Sequence, residues 1–338
     1  MSRRRWIVVV LSFAVALGVS AYVVWTGWTK QGAPPLLPAW AHLALLAAVA
    51  IEIVARGLKL HWSAAAIGVR LPVGTAVRVI LGGDFAASIT PGRSGAEPAR
   101  FLVLAEAGLP AASILLVLFI ELFLELVSLV IIVAVMAVVF RGAGGVVGLM
   151  LGVIGAWTVL VGAAAGIGWY LSHRNTHGKP PQWARRLGFN AGAWRRVQRA
   201  LRALRASLGS LRTAKAGPLV LATISSAVHV VMKLSALVII VRAVAPETAV
   251  APLVLWSLVL MYGSSIAPAP GGGGAVEFSF KLAFGALLAA DILAGSLIWW
   301  RAYTFYLLML LGALAAGRTV LRALRERPDA LLEEARPT

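Results

Sequence analysis

The apolar residues of this chain come in runs long enough to cross a bilayer, and two of the runs are broken midway by Pro-Gly turns that carry charge. A spanning helix needs about 20 mainly apolar residues. Residues 6–25, 38–55, 113–140, 146–170, 217–241 and 291–317 meet that need unbroken. Residues 72–90 and 251–285 are also apolar but interrupted, the first running into "TPGRSGAEPAR" at 90–100 and the second holding "APAPGGGGAVEF" at 267–278. With 60% hydrophobic and 13% charged residues and a mean hydropathy of +0.88, the sequence reads as an all-α polytopic membrane protein. The first run follows "MSRRRW" but is too long for a secretory h-region and lacks a small-residue cleavage site, so a retained anchor is expected.

Orientation follows from Lys and Arg in the short connections. Arg3, Arg4 and Arg5 place the N-terminus in the cytoplasm, and the run at 38–55 returns to a basic stretch holding Arg56, Lys59, Arg70 and Arg78, read as cytoplasmic. The arginine-rich stretch from Arg174 to Lys215 and the cluster Arg318, Arg322, Arg325 and Arg327 are cytoplasmic as well. Residues 57–112 then begin and end inside, while 243–290 begin and end outside. The expected architecture is about six full transmembrane helices plus two re-entrant helical hairpins inserted from opposite sides, as in inverted-repeat transporters. Irregular backbone at mid-bilayer survives only where it is buried or lines a wet cavity. The helix restarting after each break offers free N–H groups and a positive dipole end to an anion. The alternative is that both breaks are surface loops between short helices.

The pair "GDFAASITPGRSGAEPARFLVLAEAG" and "SSIAPAPGGGGAVEFSFKLAFGALLAADILAGSLIWWRAYTF" resembles the flippase-like membrane domain of the lysylphosphatidylglycerol synthases and their stand-alone relatives, with similarity over roughly residues 6–320. The resemblance implies an integral inner-membrane protein with re-entrant helices which, in some members, moves an aminoacylated phospholipid between leaflets. The matching positions are Pro91, Gly92, Arg93, Gly95, Glu97 and Arg100 in the first motif, and Pro270, Gly271, Gly272, Gly274, Glu277 and Arg301 in the second. On the next helix the family tends to show a Glu-Arg pair followed by Asp. Here "IELFLEL" keeps Glu121 and has Leu122 and Glu125 instead. The aminoacyl-transferring domain of the synthases is absent from the sequence, so synthesis of a lysyl-lipid is not expected.

Charges within apolar segments are expensive and therefore candidates for function. Glu121 and Glu125 share a helix face, as do His229 and Lys233, and Glu277 and Lys281. One reading pairs the first set with the second across the bundle as a proton- or headgroup-sensitive cluster; the other is an ion-pair network that fixes helix register. Glu52 and Asp84 could cap or pair locally. Arg93, Arg100 and Arg301 suit a phosphate, since a guanidinium gives two parallel hydrogen bonds and stays charged when desolvated. Alternatively, Arg93 pairs with Glu97 and holds the hairpin shut. The expected substrate contacts are Arg93, Glu97, Arg100, Glu121, Glu125, Glu277 and Arg301, with Pro91, Gly92, Gly95, Pro270, Gly271, Gly272 and Gly274 shaping hinges or an anion-accepting backbone.

Residues 1–320 read as a single membrane domain and 321–338 as a charged tail. Within the domain, apolar Trp194, Val197, Leu201, Leu204, Leu208 and Leu211 recur at helical spacing, so residues 183–212 read as an amphipathic helix in the cytoplasmic headgroup layer, with a coiled-coil seam as the rival. The net charge of +18 clusters beside apolar runs, which favours anionic lipids over nucleic acid as partners. No cysteine occurs, and no cofactor motif, Walker loop, metal cluster or nucleophile elbow is present. A non-enzymatic lipid flippase or transporter for a phosphate-headgroup, aminoacylated or polyprenyl-phosphate-linked lipid of a bacterial-type inner membrane is the first expectation. A non-transporting partner of a lipid-dependent glycosyl- or aminoacyl-transferase is the second. A lipid-modifying enzyme using Glu121 and Glu125 as acid and base is the third. Protein partners would be a second copy of the chain or a lipid-modifying enzyme.

Overall fold

Proline marks the start of three of the first four helices in the computed structural model, which describes residues 36–90, 92–140, 214–263 and 274–325 together with isolated positions elsewhere. Pro38, Pro72 and Pro110, each extended in ψ, stand just ahead of α1 (Ala39–Ala66), α2 (Val73–Ile89) and α4 (Ala111–Val139). A proline there loses no helical hydrogen bond, because the first N–H groups of a helix have no partner in it. α3 (Ala96–Glu106) lies between α2 and α4. α1 and α3 stop at matching left-handed glycines, Gly68 (φ 78°) and Gly108 (φ 84°). In each, the N–H beyond the glycine reaches back to close the end: Val69 to the Ala64 carbonyl at 3.0 Å, and Leu109 to the Leu104 carbonyl at 3.2 Å.

The second half supplies α5 (Ala216–Val244), α6 (Val250–Gly263), α7 (Ala275–Phe284), α8 (Ala290–Arg301) and α9 (Leu307–Arg325), with a π turn at Ala302–Tyr306 joining α8 and α9 into one long rod. All regular structure among the described residues is helical. Residues 111–139, 216–244 and 290–320 are long and apolar enough to cross a membrane, and Val250–Tyr262 forms a shorter apolar helix. Their outward faces carry Val130, Ile131, Val135, Leu221, Ile224 and Leu314 exposed, a surface suited to lipid.

α1 differs from the expected run at 38–55. It continues through Arg56 and Lys59 to Ala66, 28 residues or about 42 Å, so those two cations belong to a helix and not to a loop. The expected runs at 6–25 and 146–170, the amphipathic segment 183–212 apart from two isolated positions, and most of the tail lie outside the described residues.

α1 packs most extensively against α5, and α2 against both α3 and α9. α2 and α3 fold back on each other, and their outer ends meet where Arg78 contacts Glu106 at 2.9 Å and Thr319 of α9 at 2.8 Å. Lys215, just ahead of α5, donates to the Ala66 carbonyl at the same end. At the opposite end, Leu37 and Ala41 share a core with Val241, Leu253, Phe284 and Leu288, which gathers the start of α1, the end of α5, the start of α6 and the end of α7. The two helix pairs, α2–α3 and α6–α7, therefore have their outer ends at opposite ends of the bundle.

Candidate functional site

The site begins with a polar stripe on α1. Glu52, Arg56, Lys59 and Ser63 follow one another at steps of four, three and four, which stacks them on a single helix face turned into the bundle. An unpaired charge there would be prohibitive, and each has a partner. Arg56 grips Asp84 of α2 with both terminal nitrogens, at 2.6 and 2.9 Å. Lys59, only 1% exposed, lies 2.9 Å from Glu121 and 2.6 Å from Glu125 of α4. Tyr262 of α6 donates to the other oxygen of Glu125 at 3.1 Å, and Lys233 of α5 stands 3.5 Å from Glu52. The Glu121–Glu125 pair thus finds counter-charges in Lys59 of α1 and, for Glu121, also in Arg100 of α3, while Lys233 of α5 pairs with Glu52. Lys281 is exposed and away from Glu277's buried setting.

The first break is shaped locally. Thr90 ends α2, its hydroxyl donating to the Ala86 carbonyl at 2.7 Å and accepting from the Gly95 N–H at 2.9 Å. Between them Gly92 and Arg93 both adopt left-handed backbone, with φ of 57° and 55°. Arg93 is the non-glycine residue held in that region, a strain that a functional position can justify. Its guanidinium comes within 4.0 Å of Asp84, whose two oxygens already serve Arg56, so most of its five donors stay available. Glu97, in the first turn of α3, pairs with Arg100 at 3.0 Å and not with Arg93. Arg100 in turn reaches Glu121. Its stem lies over Gly83, where a Cβ would sit 2.7 Å from Arg100 Cγ.

The second break ends in a clamp. Glu277, in the first turn of α7, accepts the Gly274 N–H on one oxygen at 2.6 Å, tying down the start of the helix. Its other oxygen accepts from Arg301 Nε at 2.8 Å and lies 2.7 Å from Nη2. Arg301 also stacks over Phe305, 4.9 Å from the ring centre, on the π turn that follows it. Pro91, Pro270, Gly271 and Gly272 lie outside the described residues.

A cavity of about 980 Å³ lies between the breaks. Gly92, Arg93, Glu97 and Arg100 line it from the first, and Met261, Tyr262 and Val276 from beside the second. Glu121, Glu125 and Arg301 complete the charged wall. Of the residues singled out in the sequence, Glu277 stands behind Arg301, and Gly95 and Gly274 act through the backbone turns without lining the space. The cavity thus brings a partly committed arginine, a rim carboxylate and a wall of paired charges into the middle of an apolar bundle.

The description "lysylphosphatidylglycerol synthase TM region" matches residues 9–312 of the chain, a span that contains both breaks and every charged residue of the cavity. The chain belongs to this family. No curated protein matches it. Within this family member, the sequence left out of the site Arg56 and Lys59, which loop counting assigned to the cytoplasm. Their spacing with Glu52 and Ser63 on an otherwise apolar helix was the signal that could have found them. Asp84 proves central, not merely local, since it anchors Arg56 and faces Arg93. His229, Ser257 and Tyr262, on α5 and α6, also line the cavity.

Proposed function

We propose that this protein moves a lipid bearing a phosphate headgroup between the leaflets of a plasma membrane, with both termini on the cytoplasmic side. The observation that carries the reading is a charged cavity bounded by the first helix break and by residues on either side of the second, inside a lipid-facing bundle. The opposite placement of the outer ends of α2–α3 and α6–α7 supports two re-entrant hairpins inserted from opposite faces, an inverted-repeat plan whose middle holds the headgroup while acyl chains stay in lipid. Arg93 binds the phosphate, and backbone amides of the first break add to the contact. Arg100 and Glu97 shape the rim. Arg301 is held in place by Glu277. Membership of the lysylphosphatidylglycerol synthase TM-region family is consistent with lipid handling.

Reconstitution into liposomes containing a headgroup-labelled phosphatidylglycerol tests this through the fraction of label that an impermeant quencher can reach over time. Movement well above protein-free vesicles is expected. Arg93→Ala should slow it about 10- to 100-fold, the loss of one charge-assisted contact. No movement of any labelled phospholipid or prenyl phosphate, or an Arg93→Ala rate equal to wild type, overturns the proposal.

A further inference from the structure

Besides the ion-pair network, two polar residues on α5 and α6 line the cavity. His229 on α5 and Ser257 on α6 are 3% and 2% exposed, and His229 Nδ1 and Ser257 Oγ have no hydrogen-bond partner within the protein. Both residues line the cavity. Their helices are held together by Val230 and Leu234 of α5 against Leu255 and Leu258 of α6, so the packing of sequence neighbours fixes where the two polar groups stand. Buried hydrogen-bonding groups are nearly always satisfied, and these two orphans, with Arg100 Nε as a third on the same cavity, point to a partner that enters it.

The charges around them restrict what that partner is. Lys233, one turn beyond His229 on α5, lines the same cavity. Glu125 is already bound by Lys59 and Tyr262. A quaternary ammonium forms no hydrogen bonds, and a primary ammonium would be set against Lys233. A hydroxyl both donates and accepts, as do a serine hydroxyl and a neutral imidazole.

We propose that His229 and Ser257 form a hydroxyl-recognising subsite, so that the headgroup beyond the phosphate is an uncharged polyol, glycerol or a sugar, and not an ammonium. This rests on the reading of Arg93 as the phosphate contact. The headgroup would lie across the cavity, with its phosphate at the α2–α3 break and its hydroxyls at α5 and α6.

Native mass spectrometry of the purified full chain tests it with phosphatidylglycerol, phosphatidylinositol, phosphatidic acid, phosphatidylethanolamine and phosphatidylcholine of identical acyl chains. The expected result is at least about tenfold preference for a hydroxyl-bearing lipid over phosphatidic acid, the size of one or two extra hydrogen bonds. His229→Leu and Ser257→Ala should erase that preference while phosphatidic acid binding stays within about twofold, and Arg93→Ala should weaken every phospholipid alike. Equal binding of phosphatidylglycerol, phosphatidylinositol and phosphatidic acid by the wild type, preference for the ethanolamine or choline lipid, or an unchanged preference in folded variants overturns the subsite and leaves the transport reading standing. Binding of no phospholipid by the wild type overturns both. Should His229→Leu fail to fold, Ser257→Ala, which removes one oxygen atom, decides the matter alone.

Discussion

Lys59 is the residue on which the interior depends most. It bridges two carboxylates four residues apart on α4 from a position sealed off from solvent. Lys59→Met would leave both carboxylates without their shared counter-charge, and a loss of about 3–5 kcal/mol is expected, seen as a large fall in melting temperature in detergent. The double variant Lys59→Met, Glu125→Gln should recover part of it, because Glu121 keeps Arg100 as its counter-charge. Arg93 makes the opposite trade. Arg93→Gly removes the strain of its left-handed backbone and should raise stability by about 1 kcal/mol while weakening phosphate-lipid binding about 10- to 100-fold, measured by thermal shift and lipid binding on one preparation. Arg93 and Arg100 stood out in the sequence as cations beside a Pro-Gly break in an apolar chain, and Arg301 through the family resemblance. Lys59 was not, because its partners are more than sixty residues away and loop counting treats every Lys and Arg near an apolar run as cytoplasmic.

Among the elements, α2 and α9 meet almost backbone to backbone. A Cβ on Gly312 would land on the Leu81 carbonyl oxygen and 2.9 Å from Phe85 Cβ, while one on Gly317 meets nothing nearer than 3.9 Å. Gly312→Ala should therefore cost about 1–3 kcal/mol through overpacking, and Gly317→Ala should be neutral or mildly stabilising. Thermal melts of the two variants side by side distinguish a packing requirement from a general need for glycine. The helical breaks were readable from "PGRSGAE" and "PGGGGAVE", and the starts of α1, α2 and α4 from their prolines. The length of α1 was not read, although Ile67–Gly68 carries the terminating glycine, because the apolar run stops before Arg56, well before the helix ends. Periodicity reports which face is polar only once the helix is assumed to continue.

For the whole molecule, the proposed topology has a direct check, since the chain contains no cysteine to confuse labelling. Arg70 and Glu247 are exposed and follow α1 and α5 at opposite ends of the bundle. Arg70→Cys should react with an impermeant maleimide only when the cytoplasmic face is opened, and Glu247→Cys in intact cells or spheroplasts. Equal reactivity of both from one side would remove the opposed insertion of the hairpins. The all-helical membrane class was legible at this scale because hydropathy is a bulk property. The pairing inside it was hidden because it depends on which faces meet.

The two breaks are alike in outline but differ in what holds them. Thr90 closes the first with atoms a few residues away, whereas the start of α7 hangs on Glu277, which is itself fastened by Arg301 across 24 positions of chain. One corner carries its own brace, and the other borrows one from a neighbour. A disturbance of the long rod formed by α8 and α9 would therefore reach the start of α7 through Arg301 and Glu277.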